Sequence, residues 1–199
     1  MVYSELTKKA MKIAFDAHKD QVDKSGMPYI YHPIHLAEQM DDECSTCVAL
    51  LHDTVEDTDI TFETLSDLGF PKEIIDALKL LTHNKEVPYM EYIKEIKKNK
   101  LATKVKCADL AHNSTVSRLD VVDNKVLQRV KKYFKALVFL NEIDNEEDVN
   151  YYVVDNTRLV KRKGRMFFSI SNSGNWKEST SHDIVAFYDV AKNFEELDI

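Results

Sequence analysis

The stretch ALLHDTVED at residues 49 to 57 places one imidazole and three carboxylates directly after a run of apolar residues. His52 and Asp53 are adjacent, and on a helix they would lie about 100° apart, so both could lean toward one point beside it. Glu56 and Asp57 follow one turn later, each four residues beyond one of them. Burying such groups without partners costs several kcal/mol, so a cluster of this kind is paired, solvated or gathered around a cation.

Candidate partners for this cluster lie on both sides of it in the sequence. Asp109 and Asn113 are four residues apart in a segment with a helical pattern, and His32 lies in or just after a loop. Together with His52 and Asp53 they offer two imidazoles and two carboxylates. This donor set suits Mn²⁺ or Fe²⁺, and less well Zn²⁺, which favours thiolates or three histidines. We therefore predict one divalent metal site, although any one of these residues alone is more typical of a surface or capping side chain.

The composition indicates a folded, soluble, helix-rich protein. Hydrophobic residues make up 44% of the 199, against only four glycines and four prolines. The formal charge of −7 argues against binding of nucleic-acid polymers, while a local basic pocket for one small anion stays compatible with it. No run approaches the roughly 18 apolar residues that span a bilayer, and the N-terminus lacks the apolar segment of a secretion signal. We expect a cytoplasmic protein that binds neither nucleic-acid polymers nor membranes; the sequence does not indicate its oligomeric state.

The three cysteines fit a reducing compartment. Cys44 and Cys47 form a C-x-x-C pair, which is also found in redox couples and in zinc sites. Only Cys107 remains as a further thiol, so a second pair for structural zinc is lacking. We interpret Cys44 and Cys47 as small residues packed at the start of a helix.

Local signals predict where several helices begin. Ser4 and Thr61 are expected to act as N-caps. Pro71 and Pro88 are expected to begin two further helices. The apolar spacing in DECSTCVALLHDTVEDT predicts one continuous helix that carries the opening cluster.

The composition changes along the chain and predicts two domains. Helical patterns dominate residues 1–145, and the charged run DNEEDVN that follows indicates a linker. Residues 150–199 begin with β-branched and aromatic runs between Asn and Gly turns, which predicts a small β-rich unit of unknown role. The expected fold class is therefore mainly α, a helical bundle with a small β-containing C-terminal appendage.

Three motifs, HKDQVDKSGMPYIYHP, ALLHDTVEDT and KVKCADLAHN, resemble in order and spacing the hydrolase domain of the RelA/SpoT homologues, including the stand-alone small alarmone hydrolases. These enzymes belong to the metal-dependent HD-domain phosphohydrolases. The resemblance covers about residues 5–145. It implies an all-helical HD fold, a single Mn²⁺ ion, and removal of the 3′-pyrophosphate from guanosine tetra- or pentaphosphate, (p)ppGpp.

The resemblance also implies roles for individual residues. The implied metal ligands are His32, His52, Asp53 and Asp109. Glu56 and Asp57 correspond to the pair that orients and deprotonates the attacking water. Lys24 and Ser25 correspond to a loop beside the nucleotide, and Asn113 to a residue that contacts it. Such a reaction needs an activated water and positive charge near the phosphoryl oxygens, which a cation with a neighbouring carboxylate base supplies.

Two positions depart from the family pattern and leave alternatives open. Asp23 stands where the family usually has an arginine that stacks on the guanine, and Leu110 stands where an arginine usually follows Ala-Asp. A carboxylate in place of a cation removes both stacking and attraction for a polyanion. The alternatives are an HD-domain hydrolase of another nucleotide, such as an adenosine alarmone or NADPH, and a non-catalytic nucleotide sensor. Glu56 and Asp57 favour an enzyme, because a binding module has little need of a water-activating pair.

Overall fold

The computed structural model describes residues 1–115, 123–141, 149–154, 157–162, 165–170 and 177–178. The fold of these residues is mainly helical, which confirms the mainly α part of the predicted class. The helices are α1 (Glu5–His18), α2 (Tyr31–Glu38), α3 (Glu43–Leu51), α4 (Thr54–Asp57), α5 (Phe62–Asp67), α6 (Lys72–Leu81), α7 (Tyr89–Lys97), α8 (Lys100–Asn113) and α9 (Asn124–Leu140). The strands are β1 (Val149–Val154), β2 (Thr157–Arg162), β3 (Arg165–Ile170) and β4 (Lys177–Glu178).

The chain comprises two compact units, Met1–Asp109 and Leu110–Ile199. The domain boundary that the sequence predicts between residues 145 and 150 stays a prediction. No helix in the described part of the chain combines the length and the hydropathy that a bilayer-spanning segment requires.

Helix α3 is the centre of the first unit. It packs against α1, α2 and α6. Its residues from Cys47 to Leu51 have no exposed surface, because this stretch is apolar on every side and is stable only when it is surrounded. Leu36 on α2 and Leu78 on α6 are equally buried beside it. The C-terminal end of α3, where His52 follows, is therefore held from several directions.

The start of α3 is fixed by a side-chain cap. Asp42 has extended backbone angles, and its Oδ1 accepts a hydrogen bond of 2.7 Å from the Ser45 amide. The Lys104 ammonium on α8 lies 2.8 Å from the other Asp42 oxygen. This capping carboxylate therefore satisfies an amide that the helix itself leaves without a partner.

Replacing Asp42 by alanine should lower the free energy of unfolding by about 1 kcal/mol, the usual cost of losing an N-cap side chain. Burial alone would raise the pKa of Asp42, but hydrogen bonds from Lys104 and Ser45 lower it to about 2. Since this value lies below the unfolded pKa of about 3.9, the contribution is complete above that pKa and is lost as the pH falls toward 2.

Urea denaturation from pH 7 to pH 2.5 measures this effect. Asp42→Asn is the matched control, because it keeps a capping oxygen but does not titrate. The stability difference between the wild type and Asp42→Asn should shrink on acidification below about pH 4. A difference that stays constant with pH would contradict the assignment.

The other predicted helix starts are close to the observed ones. The Ser4 hydroxyl accepts from the Thr7 amide and the Thr61 hydroxyl from the Thr64 amide, so both N-cap predictions are confirmed. Pro71 lies at the N-cap of α6, directly before the first helical residue. Pro88 has the same place before α7.

The second unit contains α9 and the four strands. The Asp123 side chain caps α9 by accepting from the Val126 amide at 2.8 Å. The strands form one antiparallel sheet in the order β1-β2-β3-β4, with Val149 opposite Arg162 in the first pair. Residues 179–199 lie outside the described residues, and the β-rich appendage expected over 150–199 stays a prediction as a whole.

Candidate metal centre

The expected continuous helix through HDTVED is interrupted at His52 and Asp53. Helix α3 ends at Leu51 and α4 begins at Thr54. Asp53 has φ −100° and ψ −6°, between the helical and extended regions, where many active-site residues are found. The Thr54 hydroxyl donates to the Leu51 carbonyl at 2.7 Å and satisfies an acceptor that the helix end leaves open. The prediction of one continuous helix was wrong. The stretch contains no glycine or proline, so the sequence carries no signal for the break.

His32 lies in the first turn of α2, slightly inside the helix rather than in the preceding loop. Pro33 follows it as the third helical residue, a place where the missing amide hydrogen is not needed. The His32 amide donates to the Tyr29 carbonyl at 2.9 Å. The His32 side chain is consequently fixed at the start of a helix and is buried.

The four predicted metal ligands come together in the structure. His32 Nε2 lies 3.3 Å from Asp109 Oδ1 and 3.7 Å from Asp53 Oδ2. His52 Nε2 lies 2.9 Å from the same Asp53 oxygen. One ligand atom each from His32, His52 and Asp109 lies within 4.8 Å of the others, and all three residues are buried. Nitrogen and oxygen donors at these separations could hold one divalent ion.

The hydrogen bonding of His52 favours metal binding. Its Nδ1 lies 2.9 Å from the Ala49 carbonyl, which can only accept, so Nδ1 carries the hydrogen. In the neutral ring Nε2 then presents a lone pair toward the carboxylates. Nε2 is buried and makes no hydrogen bond of acceptable geometry within the described residues. Such an atom fits a metal ligand whose other nitrogen is oriented by a backbone carbonyl.

The electrostatics of the cluster also favour the binding of a cation. Burial lowers the pKa of His52, but the charges of Asp53 and Asp109 raise it to about 9. Burial likewise raises the pKa of Asp53, yet the neighbouring imidazoles hold it well below its usual range. The carboxylates are thus ionised and attract a cation, which can be either a proton on the imidazole or a metal ion that displaces it.

Lys106 orients Asp109 from within the same helix. The Lys106 ammonium lies 2.8 Å from Asp109 Oδ2, while Oδ1 faces His32. Burial alone would raise the pKa of Asp109, but the Lys106 charge and the two imidazoles hold it well below its usual range. Lys106 also lies over the Tyr92 ring at 5.4 Å. The lysine therefore keeps one carboxylate oxygen occupied and the other directed toward the imidazoles.

Tyr29 fixes the second carboxylate. Its hydroxyl donates a short hydrogen bond to Asp53 Oδ2. Burial and the Asp53 charge raise the pKa of this phenol, so it stays a donor. Its ring also lies 5.0 Å from the His18 ring and 5.7 Å from the His32 ring. Tyr29 thus supports the cluster from the side of α1.

If Asp53 is a metal ligand, replacing Tyr29 by phenylalanine should weaken the binding of a divalent ion about tenfold, the usual scale for removing a hydrogen bond to such a ligand. Titration calorimetry on protein stripped with a chelator measures this. Tyr31→Phe is the matched control, because Tyr31 lies two residues further along the chain, at the start of α2, and is 58% exposed. Equal affinities in the two variants would exclude Tyr29 as a support of the site.

Glu56 and Asp57 lie on α4, one turn beyond His52 and Asp53, and both are exposed. Glu56 Oε2 accepts from the His83 amide at 3.0 Å. The Asp57 carbonyl accepts at 3.0 Å from the Gln21 side chain, whose oxygen lies 2.7 Å from His18 Nδ1. Burial and the charges of Asp53 and Glu56 raise the pKa of Asp57. Both carboxylates are open to solvent, and Asp57 accepts a proton more readily than an ordinary aspartate.

The predicted nucleotide-binding residues come from two separate segments of the chain. Lys24 is exposed in the loop between α1 and α2, and the neighbouring Ser25 hydroxyl donates to Asp23 at 2.6 Å. Asn113 is the last residue of α8 and belongs to the second unit. Leu110 has only 1% of its surface exposed, so the residue that replaces the family's arginine is a buried apolar one.

The supporting residues Tyr29, Lys106 and Gln21 were not predicted from the sequence. Lys106 precedes Asp109 by three residues, a spacing that brings side chains together on a helix and could have indicated the pair. Tyr29 lies within the motif that contains His32, but nothing in its neighbourhood indicates which carboxylate it would meet. Gln21 carries no such signal.

Cys44 and Cys47 both lie within α3, with free thiols. Cys47 is buried, and burial raises the pKa of its thiol to about 12. Cys44 Sγ lies 3.9 Å from a Glu73 oxygen. Within the described residues the cluster of possible metal ligands contains no cysteine. The interpretation of the pair as packed helix residues fits these contacts.

Comparisons with known proteins follow the motifs. No family model matches the sequence. The chain is 34% identical over 140 residues to the guanosine-3′,5′-bis(diphosphate) 3′-pyrophosphohydrolase MESH1 of Xenopus tropicalis, a match that covers 63% of this chain and 77% of that one. It is 45% identical over 69 residues to the putative chloroplastic GTP diphosphokinase RSH1 of Arabidopsis thaliana. That match covers 32% of this chain and only 8% of the much longer plant protein.

A solved structure shares the fold. It is described as a metazoan orthologue of SpoT that hydrolyses ppGpp and plays a role in starvation responses. The two superpose with a TM-score of 0.57 at 24% identity, over 68% of this chain and 87% of the other. The similarity to MESH1 over most of its length is the stronger finding. This chain therefore belongs to the family of guanosine-3′,5′-bis(diphosphate) 3′-pyrophosphohydrolases that includes MESH1.

Proposed function

We propose that this protein hydrolyses (p)ppGpp by removing its 3′-pyrophosphate with a metal-activated water. The convergence of His32, His52 and Asp109 in a member of this family carries the proposal. Histidine and carboxylate donors are the usual ligands of hydrolytic divalent ions. The substrate in this proposal is a small nucleotide, recognised without a nucleic-acid polymer.

The proposed ligands of one Mn²⁺ ion are His32, His52, Asp53 and Asp109. A bound ion of this kind lowers the pKa of a coordinated water and neutralises a phosphoryl oxygen. Two histidines and two carboxylates also suit Fe²⁺, and Zn²⁺ less well. The contacts of the ligands support the assignment, because Ala49, Lys106 and Tyr29 each hold one of them in place.

Glu56 and Asp57 act on the attacking water in this proposal. The His83 amide donates to one oxygen of Glu56 and so restricts the orientation of this side chain. Asp57 has a raised pKa, so it accepts a proton more readily than an ordinary aspartate. A carboxylate whose pKa lies closer to the working pH is a more effective general base. The pair orients the water and removes its proton as the water oxygen bonds to the phosphorus next to the 3′ oxygen. The bond between that phosphorus and the 3′ oxygen breaks, and the 3′ oxygen takes up a proton, so that a 3′ hydroxyl and pyrophosphate are the products.

Lys24, Ser25 and Asn113 are the proposed contacts to the nucleotide. Lys24 is exposed and offers a positive charge to phosphate. Asn113 lies on α8 one turn beyond Asp109, at a spacing that places it on the same side of that helix. We further propose that residues 150–199 form a β-rich appendage to the helical domain.

Assaying Mn²⁺-loaded protein against a panel of nucleotides tests the proposed substrate. The panel contains guanosine tetra- and pentaphosphate, the corresponding adenosine compound and NADPH. We expect the highest kcat/KM for a guanosine compound. A preference for the adenosine compound or NADPH would change the substrate and keep the metal chemistry, while binding without turnover would indicate a sensor.

A further inference from the structure

The Asp23 carboxylate is turned into its own loop. The loop over residues 22–28 joins α1 to α2, and Asp23 Oδ1 accepts three hydrogen bonds within it. The donors are the Ser25 amide at 2.8 Å, the Ser25 hydroxyl at 2.6 Å and the Met27 amide at 3.0 Å. Hydrogen bonds to an ionised acceptor are about twice as strong as those between neutral groups. One side-chain oxygen thus organises the middle of the 22–28 loop.

The backbone of this loop is paired around the carboxylate. Val22 and Pro28 form an isolated antiparallel bridge, and the Asp23 amide donates to the Met27 carbonyl at 2.8 Å. The Gly26 amide donates to the Asp23 carbonyl at 3.0 Å, and Gly26 has φ +77°, which favours glycine. The turn is therefore tight, and residues 24 and 25 lie between the two paired ends.

These contacts give Asp23 a structural role in the loop, which differs from recognition of the guanine base. Without the carboxylate, the amides of Ser25 and Met27 would lose their side-chain acceptor, and the turn would be held less firmly. Fixing the backbone of a residue in one conformation opposes binding whenever it must happen in the complex. When the loop is already fixed, this loss of conformational entropy does not reduce the free energy of nucleotide binding.

We propose that Asp23 is a positioning residue that holds the 22–28 loop, with Lys24 and Ser25, in its binding conformation before the nucleotide arrives. This proposal rests on the proposed function for its effect on substrate binding. It explains how the chain accommodates a carboxylate at a place where bare charge would repel a polyphosphate. The three hydrogen bonds direct Oδ1 toward the donors of its own loop and stabilise the negative charge there.

Two variants separate this role from simple repulsion, because the expected signs differ. Asp23→Ala removes both the charge and the acceptor, whereas Asp23→Asn removes the charge and keeps an acceptor oxygen. If Asp23 shapes the loop, Asp23→Ala should raise the KM for (p)ppGpp about tenfold and change kcat by less than about twofold. Asp23→Asn should have a KM close to that of the wild type. If the charge only repels, both variants should lower the KM.

Asp20→Ala is the matched control. Asp20 is an exposed carboxylate three residues before Asp23, beyond the end of α1, so it changes the local charge without touching the loop contacts. Its KM should stay within about twofold of the wild type, since the field of one exposed charge is largely screened at physiological salt. A lowered KM in both Asp23 variants would overturn the proposal.

Amide hydrogen exchange tests the loop without any substrate. In the intact protein, exchange at Ser25 and Met27 should speed up about tenfold or more in Asp23→Ala and far less in Asp23→Asn. Unchanged exchange in Asp23→Ala would overturn the proposal. Failure of the wild type to turn over any nucleotide would instead refute the proposed function, and the exchange rates would still decide the role of Asp23 in the loop.

Discussion

An Asp53→Ala variant is expected to retain no stoichiometric Mn²⁺ and to hydrolyse (p)ppGpp at least about 10³-fold more slowly, because a catalytic ion contributes several kcal/mol to the transition state. Asp53 Oδ2 is the oxygen that approaches both imidazoles, at 2.9 Å from His52 Nε2 and 3.7 Å from His32 Nε2. Its loss leaves three donors and removes a negative charge from the site. Metal analysis of the purified variant and its turnover number measure the two effects.

Asp53 is a better probe than Asp109. Removing Asp109 would leave the Lys106 charge largely buried and unpaired, which costs about 3–5 kcal/mol and could unfold the protein. Asp59→Ala is the control, because Asp59 is an exposed carboxylate shortly after α4. It should keep the metal and the activity. Full metal content in a folded Asp53→Ala protein would remove Asp53 from the ligand set.

A Glu56→Gln variant should keep its metal and lose about 10²–10⁴-fold in kcat, the usual contribution of a positioned general base. Glutamine has nearly the same shape, and its carbonyl can still accept from the His83 amide. The variant therefore removes the ability of this side chain to take up a proton and keeps its hydrogen bond with the His83 amide. Asp57→Asn, measured in parallel, shows how the two carboxylates divide the task.

Metal content and kcat must be measured on the same preparation, because only their combination is informative. Glu63→Gln on α5 makes the same chemical change at an exposed position and should leave both values unchanged. A normal kcat in Glu56→Gln would exclude Glu56 from the reaction. Loss of the metal would place Glu56 among the ligands instead.

The helical architecture could be predicted from the sequence because it depends on local patterns. The caps at Ser4 and Thr61 follow from short-range hydrogen bonding. The family could be identified because three motifs retain their order along the chain. The residue types His and Asp at 52 and 53 already limited the interpretation to a paired cluster, a solvated cluster or a cation site.

Other features depend on the three-dimensional arrangement and could not be predicted. The break between α3 and α4 rests on the Thr54 hydroxyl and on the unusual backbone angles of Asp53, neither of which leaves a periodic signal. Asp23, where the family usually has an arginine, suggested a change in the recognition of the guanine base. The structure adds that this carboxylate accepts hydrogen bonds from nearby amides, a contact that depends on the turn of the backbone. The change in guanine recognition stays a prediction.

The products formed from guanosine tetraphosphate test the central claim most directly. Mn²⁺-loaded protein should convert it to guanosine diphosphate and inorganic pyrophosphate in equal amounts, with no orthophosphate, and a chelator should stop the reaction. Chromatography of the nucleotides together with a pyrophosphate assay measures both products at each time point. Release of orthophosphate, or product formation that persists after the metal is removed, would contradict 3′-pyrophosphate hydrolysis at a metal site.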